Sequence, residues 1–172
     1  KRYNICMRKA SLKDLKNITN IIDQAKESLK NDGVDQWQNG SPDNMLVGRQ
    51  ITSGNSYVYE MDENILSYAY LSEDYEPTYA AVMNLVKGYN AYTIHTFCVA
   101  KEAKGKGVAS KFFDEIINFA KENGKDSLRI DTHEDNFKMR GLIKKMGFEF
   151  LGQIYIKDNG QTKPRLAYEL LL

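Results

Sequence analysis

Cysteine is scarce in this sequence, and nothing groups it with histidine. The 172 residues contain two cysteines, Cys6 and Cys98, and no CxxC pair. Protein zinc sites need several such ligands at short spacing, so we expect no metal site. Both cysteines lie in apolar runs typical of strands, where a thiol is usually buried and unreactive. We therefore expect both thiols to be inert.

Net charge is nearly absent as well, and no long apolar run is present. Lysine and arginine number 24, aspartate and glutamate number 23, and the net charge is +1. This balance favours neither nucleic acid nor an anionic membrane as a partner. Without a signal peptide or a membrane-spanning run, a reduced, cytoplasmic setting is expected. The length favours one domain, residues 1–172, that buries its own core.

A strand, a glycine-containing turn and an amphipathic helix form the central stretch of the sequence. Residues 93–99 are β-branched and aromatic, which predicts a strand. From Val108 onward, apolar residues recur every fourth position with charged residues opposite them, and Gly124 closes the pattern. This periodicity predicts an amphipathic helix.

The turn that precedes this helix, residues 104–110, has the properties of an anion site. A helix start leaves backbone N–H groups unpaired and carries the positive end of the helix dipole. Gly105 and Gly107 allow an anion to approach the main chain closely, and Lys104 and Lys106 add positive charge. A tight strand-to-helix connection would use the same glycines, so the spacing alone leaves both interpretations open. The spacing matches neither the P-loop nor the dinucleotide fingerprint.

Two motifs resemble signatures of the GNAT superfamily of N-acetyltransferases. Lys104-Gly105-Lys106-Gly107-Val108-Ala109 is similar to the family pattern Q/R-x-x-G-x-G/A, with lysine in the first position. Residues 136–148 are similar to the second pattern, Asn-x-x-Ala-x-x-Leu-Tyr-x-Lys-x-Gly-Phe, with Ile143 in place of the tyrosine. The motifs follow one another in the family's order, separated by one predicted strand.

The resemblance implies a mixed α/β fold of the GNAT type. Its mostly antiparallel, twisted sheet has about six to seven strands flanked by about four helices, with one parallel strand pair around the central helix. The residue patterns predict the remaining elements. The strands are expected at 3–8 and 127–132, with hairpins at 57–61 and 65–71 and at 148–156 and 165–171. The helices are one begun by a capping box of Ser11 and Asp14, a short one from Ser41 and Pro42, a short one within 79–86 and one from Asn136.

In this family the co-substrate is acetyl-CoA, and the resemblance implies where it binds. Backbone N–H groups of the turn are expected to hold the pyrophosphate, and main-chain groups of the preceding strand to pair with the pantetheine arm. Asn136 is expected to orient that arm, and Lys145 either reaches a phosphate or is a solvated lysine beside Lys144. The implied cofactor-binding residues are Phe97, Cys98, Val99, Lys104, Gly105, Lys106, Gly107, Val108, Ala109, Ser110, Asn136 and Lys145.

Acetyl transfer needs a base for the amine, and His95 is the first candidate. Strand alternation places it on one face with Phe97 and Val99 and opposite Cys98, and a free histidine has a pKa near 6.5. The alternative is a histidine satisfied within the sheet. His133 and Glu134, at the end of a predicted strand, are further candidates, or they cap the next helix.

The proton donor for the leaving thiol is undetermined, because Ile143 replaces the family's usual tyrosine. Tyr155, Tyr168 or water could serve instead. Coenzyme A thiolate is a good leaving group, so positioning can supply most of the acceleration.

Aromatic residues are expected on the acceptor side. Trp37 lies in a polar stretch, and Tyr75 and Tyr79 lie in the long segment between two predicted strands. All three suit a cationic or aromatic amine, although Trp37 can equally anchor its loop. The predicted activity is direct acetyl transfer to a primary amine of a small molecule or peptide, by a monomer or homodimer. A non-catalytic acyl-CoA sensor and a nucleotide-binding protein of another fold are the alternatives.

Overall fold

The computed structural model describes residues 4–172 and shows seven strands within them. They are β1 (Ile5–Lys9), β2 (Ser56–Met61), β3 (Asn64–Ser72), β4 (Ala91–Val99), β5 (Ser127–Thr132), β6 (Glu149–Asp158) and β7 (Gln161–Leu171). The α-helices of this range are α1 (Leu15–Asn31), α2 (Asn44–Thr52), α3 (Val108–Glu122) and α4 (Phe137–Lys145). Tyr3, included in the predicted first strand, lies outside the described residues.

The strands form one sheet in the order β1-β2-β3-β4-β5-β7-β6. The pairs along it are antiparallel except β4 and β5, which run parallel and are joined through α3. The predicted mixed architecture, with one parallel pair around the central helix, is therefore confirmed. No helix among residues 4–172 is long and apolar enough to cross a membrane.

The helices cover both faces of the sheet. On α3 the predicted apolar stripe is buried. The rings of Phe112 and Phe113 pack against the ring of Phe97 in β4, with centroid distances of 5.7 and 4.6 Å. On the opposite face, the hydroxyl of Tyr68 in β3 donates to Gln50 of α2 at 2.8 Å. The core thus lies on each side of the central strands, as expected for a sheet between helical layers.

The predicted capping box of Ser11 and Asp14 is present and is extended by an arginine; it starts a 3-10 helix (Leu12–Asp14) that leads directly into α1. Asp14 accepts a hydrogen bond from the backbone N–H of Ser11 at 2.8 Å, and Arg8 of β1 donates to both of its carboxylate oxygens at 2.9 and 3.0 Å. Arg8 also pairs with Glu60 of β2. The hydrogen bond from Arg8 lowers the pKa of Asp14, more than burial raises it. This cluster ties the first helix to the first two strands.

Asp14→Ala is expected to lower the free energy of unfolding by about 1–3 kcal/mol, since a cap and a charged hydrogen bond are lost together. Because the pKa of Asp14 is lowered in the folded state, its contribution is present above its unfolded pKa and disappears as the pH falls through the folded value. Urea titrations at pH 7 and at decreasing acidic pH measure both effects. Asp23→Ala, on the exposed side of α1, is the control and should change stability by less than about 0.5 kcal/mol.

Three local predictions were wrong. Helix α2 begins at Asn44 rather than at Ser41, because the side chain of Asp43 caps it by accepting from the N–H of Leu46 at 2.8 Å. The short helix of the 73–90 segment is a 3-10 helix at Pro77–Val82, two residues earlier than its predicted start at 79, since proline occupies its first turn. Cys6 is exposed rather than buried, whereas Cys98 is buried as predicted.

A β-bulge in β4 changes the predicted arrangement of its side chains. Tyr70 pairs with His95 and Tyr68 pairs with Cys98, so two residues of β4, Thr96 and Phe97, stand opposite one residue of β3. Thr96 takes a left-handed conformation with φ 56°. The extra residue reverses the alternation. His95 consequently shares a face with Cys98, and Phe97 and Val99 lie on the other face. The prediction that His95 lies with Phe97 and Val99 and opposite Cys98 was wrong.

The bulge also separates β4 from β5. Their parallel pairing ends at Ile94 and Ile130, although β4 continues to Val99 and β5 to Thr132. Beyond this point the edge of β4 that faces β5 is left without a strand partner. The sheet therefore has a gap at the carboxyl ends of its two parallel strands, where open α/β sheets usually bind ligands.

Candidate active site

A cavity of about 990 Å³ occupies the gap between β4 and β5. Its walls come from both sides of the chain's central strands. They include α1, α2 and the segment joining them, the end of β4, the turn before α3, the end of β5 and the first turn of α4, with further residues from β3, the segment after it, β6 and β7. Both sheet faces contribute, because Val108 of α3 and Glu76 of the opposite face line the same space. One cavity therefore connects the two sides of the sheet.

The turn before α3 presents unused main-chain donors to this cavity. The first hydrogen bond of the helix runs from the N–H of Lys111 to the carbonyl of Gly107 at 3.1 Å, so the N–H groups of residues 108–110 precede the helical ladder. Gly105 and Gly107 have φ of 75° and 73°, and a Cβ built on either would meet no heavy atom within 4 Å. The turn combines free donors, the positive helix end and open space, which is the arrangement that binds anions.

Two lysines are close to this turn. Lys104 lines the cavity, and its Nζ donates to the hydroxyl of Ser28 in α1 at 3.1 Å. The Nζ of Lys145 donates to the hydroxyl of Ser110 at 3.1 Å, so it lies beside the helix start although it does not line the cavity. Both charges therefore flank the N-terminus of α3.

Main-chain groups at the end of β4 form a second wall. Phe97, Cys98 and Val99 line the cavity, and their strand is held from the β3 side, where the hydroxyl of Ser67 donates to the carbonyl of Cys98 at 2.6 Å. The thiol of Cys98 is enclosed, and burial raises its pKa to about 12. A thiol with that pKa is protonated at neutral pH and is a poor nucleophile.

Asn136 lines the cavity and connects α4 to the segment between α1 and α2. Its Oδ1 accepts from the N–H of Met139 at 3.2 Å and caps α4, while its Nδ2 donates to Oε1 of Gln36 at 3.0 Å. The same oxygen of Gln36 accepts from the hydroxyl of Thr132 at 3.2 Å. This network fixes the orientation of Asn136 at the rim of the gap.

His95 lies in the cavity on the face opposite α3. Its Nε2 is 2.7 Å from Oε1 of Glu76, and its ring stacks on Tyr70 with a centroid distance of 6.0 Å. Burial favours the neutral ring, but the hydrogen bond and charge of Glu76, together with the charge of Asp131, raise the pKa of His95 above its usual value. Burial raises the pKa of Glu76, but the hydrogen bond and charge of His95, together with a hydrogen bond from Ser72, lower it by more. The pair resembles a base held by an acidic partner.

Asp131 of β5 also lines the cavity on this side. It accepts a hydrogen bond from the hydroxyl of Tyr79 at 3.0 Å, and burial raises its pKa. Tyr79 itself is 1% exposed and does not line the cavity. Tyr79 therefore supports a cavity residue rather than forming a wall.

Most of the predicted cofactor residues line the cavity, and the others do not. Lys106 is exposed and, like Lys145, is not part of the lining. Of the predicted acceptor residues, Trp37 lines the cavity, whereas Tyr75 is 68% exposed and lies outside it. The predicted cofactor residues in the lining are Phe97, Cys98, Val99, Lys104, Gly105, Gly107, Val108, Ala109, Ser110 and Asn136.

Four candidates for proton transfer lie outside the cavity. The ring of His133 accepts from the N–H of Asp135 at 3.0 Å, which stabilises the turn before α4, and Glu134 of the same turn is exposed. Tyr155 is 54% exposed on β6, and Tyr168 is buried with its hydroxyl accepting from Arg140 at 3.2 Å. Ile143 is fully buried in the core.

Sequence reasoning missed Glu76, Asp131 and Arg165 as cavity residues. They lie on separate elements, up to 89 positions apart, and no local motif connects them. Asp131 carried a weak signal, being a charged residue near the end of a buried strand. For the other two, only the tertiary fold places them at the cavity.

A family model described as the acetyltransferase (GNAT) family matches residues 19–148. No curated protein matches the chain significantly. Among solved structures, a GNAT acetyltransferase from Streptococcus agalactiae is similar with a TM-score of 0.86 and 26% identity, over 98% of this chain and 95% of that one.

Two further structures share the fold at lower identity. The ribosomal-protein-alanine N-acetyltransferase of Brucella melitensis has a TM-score of 0.71 and 19% identity, over 97% of this chain and 99% of that one. The yncA protein of Salmonella typhimurium, solved with its cofactor acetyl-CoA, has a TM-score of 0.69 and 16% identity, over 97% of this chain and 93% of that one.

Proposed function

The chain belongs to the GNAT acetyltransferase family, and on that premise we propose that it transfers an acetyl group from acetyl-CoA to a primary amine of a small molecule or peptide. One observation carries the proposal. A single cavity joins the donor-rich turn before α3 to the His95–Glu76 pair on the other face, through the gap between β4 and β5. A carrier bound on one side of the sheet can therefore meet an amine bound on the other.

The residues present fit acetyl-CoA. N–H groups of residues 108–110, beside the open space over Gly105 and Gly107, suit a pyrophosphate, and Lys104 adds charge. The free edge of β4 at Phe97 and Cys98 suits an amide-bearing arm that pairs as a strand does. When bound, acetyl-CoA supplies an activated acyl carbon and a readily departing thiolate.

His95 is the proposed base. With a proton on Nε2 directed to Glu76, its Nδ1 carries the free lone pair and accepts a proton from the amine. The amine attacks only when it is neutral, so removal of this proton is the step that the protein assists. Glu76 fixes the tautomer and stabilises the imidazolium that forms, as an acidic partner does in other His-containing sites.

We assign protonation of the leaving thiolate to water. The side chain of Ile143 has no acidic proton, and of the tyrosines predicted to replace it neither Tyr155 nor Tyr168 lines the cavity. Because the thiolate leaves readily, the positions of the two substrates provide most of the acceleration. The high pKa of the enclosed Cys98 supports direct attack by the amine rather than an acetylated enzyme.

The experiment combines ligand stabilisation with turnover. We expect coenzyme A, and not ATP or NAD, to stabilise the protein, by about 2.7 kcal/mol at 100 times its Kd. With acetyl-CoA and a library of primary amines, at least one amine should release thiol above the background rate. Coenzyme A binding without any release would instead favour the acyl-CoA sensor that Ile143 motivates, and stabilisation by nucleotides alone would exclude both functions.

A further inference from the structure

Arg165 of β7 is a buried cation that lines the cavity. The residue is 3% exposed, and its Nη1 donates to the carbonyl of Pro164 at 2.8 Å. Its guanidinium forms no ion pair with any carboxylate of residues 4–172. Among residues 4–172, one side-chain nitrogen is both fully buried and without a hydrogen-bond partner, and it is Nε of Arg129 rather than any nitrogen of Arg165. The other side-chain nitrogens of Arg165 therefore keep some accessible surface, and the residue lines both this cavity and a second, small pocket.

The carboxylates around Arg165 are occupied by other groups. Asp131 accepts from Tyr79 and interacts with Arg165 through its charge, without a direct ion pair. Asp158 and Asp35 both form ion pairs with Lys163, at 3.4 and 3.0 Å. Burial lowers the pKa of Arg165, but a guanidinium stays charged in proteins. A buried, permanent charge without a directly paired counter-ion is costly, so an anionic ligand group at this position would be stabilised.

The register of the sheet places this cation on the acceptor face. Asp131 of β5 pairs with Ala167 of β7, and Arg165, two residues before Ala167, points to the same side. His95, whose pKa responds to the charge of Asp131, lies on that side of β4. The base and the cation thus line one end of the cavity, across from the turn that precedes α3.

We propose that Arg165 binds a carboxylate of the acceptor, so that the acceptor carries both a primary amine and a carboxylate, as an amino acid does; this rests on the proposed function. The planar guanidinium fork matches the two oxygens of a carboxylate. Asp131, Asp158 and Asp35 surround the position with carboxyl groups. A singly charged carboxylate suits these surroundings better than a doubly charged phosphate.

The test uses matched pairs of amino acids and their carboxamides as acceptors. With acetyl-CoA, the wild-type protein should show a kcat/KM at least tenfold higher for the carboxylate member of the best pair. Arg165→Gln should abolish this preference, mainly through KM, and Arg165→Lys should retain part of it because the charge remains. Arg129→Gln, which alters a partly buried arginine of β5 outside the cavity, should keep the preference.

A binding measurement separates this proposal from the proposed function. Thermal stabilisation of the coenzyme A complex by an amino acid, but not by its carboxamide, would support the Arg165 site even if no amine releases thiol. Equal turnover and equal stabilisation by both members of every pair would overturn the proposal. If Arg165→Gln fails to fold, the comparison within the wild-type protein still tests for a carboxylate site, and the reduced preference of Arg165→Lys tests its assignment to Arg165. Retention of the preference in a folded Arg165→Gln variant would also overturn it.

Discussion

Lys104→Glu combined with Gly107→Val is expected to weaken coenzyme A binding by at least about a hundredfold, which corresponds to about 2.7 kcal/mol. Hydrogen bonds to a charged group contribute about 1.5–3 kcal/mol each, and the double variant affects several of them. The valine side chain fills the open space over the turn, and the glutamate repels the phosphates from a position that lines the cavity. Isothermal titration calorimetry with coenzyme A measures the loss.

Gly124→Val provides the matched control for backbone strain. Gly124 follows the other end of α3 and has φ 74°, against 73° for Gly107, with no heavy atom near its Cβ position. A valine at either site therefore carries a similar penalty of about 1–2 kcal/mol. We expect a comparable loss of Tm in the two variants but normal coenzyme A affinity for Gly124→Val. Wild-type affinity in the folded double variant would refute the anion site.

His95→Ala is expected to lower kcat by about 10²–10⁴-fold, the usual contribution of a positioned base. In the wild-type protein, kcat/KM should rise with pH through a pKa above the ordinary histidine value, because Glu76 and Asp131 outweigh burial and raise it. Below that pKa the imidazole is protonated and cannot accept the proton of the amine. The alanine variant should lose this dependence. Initial rates of thiol release from pH 5.5 to 9, about the range that histidine controls, measure both effects.

Glu76→Gln tests whether His95 acts in this way. The carboxylate of Glu76 raises the pKa of His95 through its hydrogen bond and its charge. Without it the pKa should fall, and the acidic limb of the pH–rate profile should move to lower pH. The maximal rate should fall, since the imidazole becomes a weaker and less firmly oriented base. A histidine with only a packing role would leave the pH profile in place. His133→Ala compares the other histidine, and loss of the limb in that variant would transfer the role to it.

Elements with a strong local pattern were predictable from the sequence. Three patterns each predict a structure within about a dozen residues. They are the periodic apolar residues of α3, the alternation in β2 and β3 around a polar turn, and the capping box of Ser11 and Asp14. The strand at Ser127–Thr132 was predicted with its observed bounds. In each case local preference and tertiary packing favour the same conformation, so the pattern is sufficient.

The bulge in β4 and the acceptor side of the cavity were not predictable in this way. Threonine rarely adopts a left-handed conformation, so Thr96 gives no signal of a bulge, and simple alternation placed His95 and Phe97 together. The conformation is held by tertiary contacts, including the hydrogen bond from Gln50 of α2 to the hydroxyl of Thr96 at 2.9 Å. Glu76, Asp131 and Arg165 meet only through strand order and register, which no local window contains.

The bulge makes the number of residues in β4 more important than their identity at one position. The one additional residue in that strand determines which face of the sheet each later side chain of β4 lies on. A different amino acid at this point leaves the parity of the strand unchanged, whereas a deletion would exchange inward and outward positions up to Val99. Insertions and deletions in this segment should therefore be selected against more strongly than substitutions, because a change of length would close the passage between the two faces.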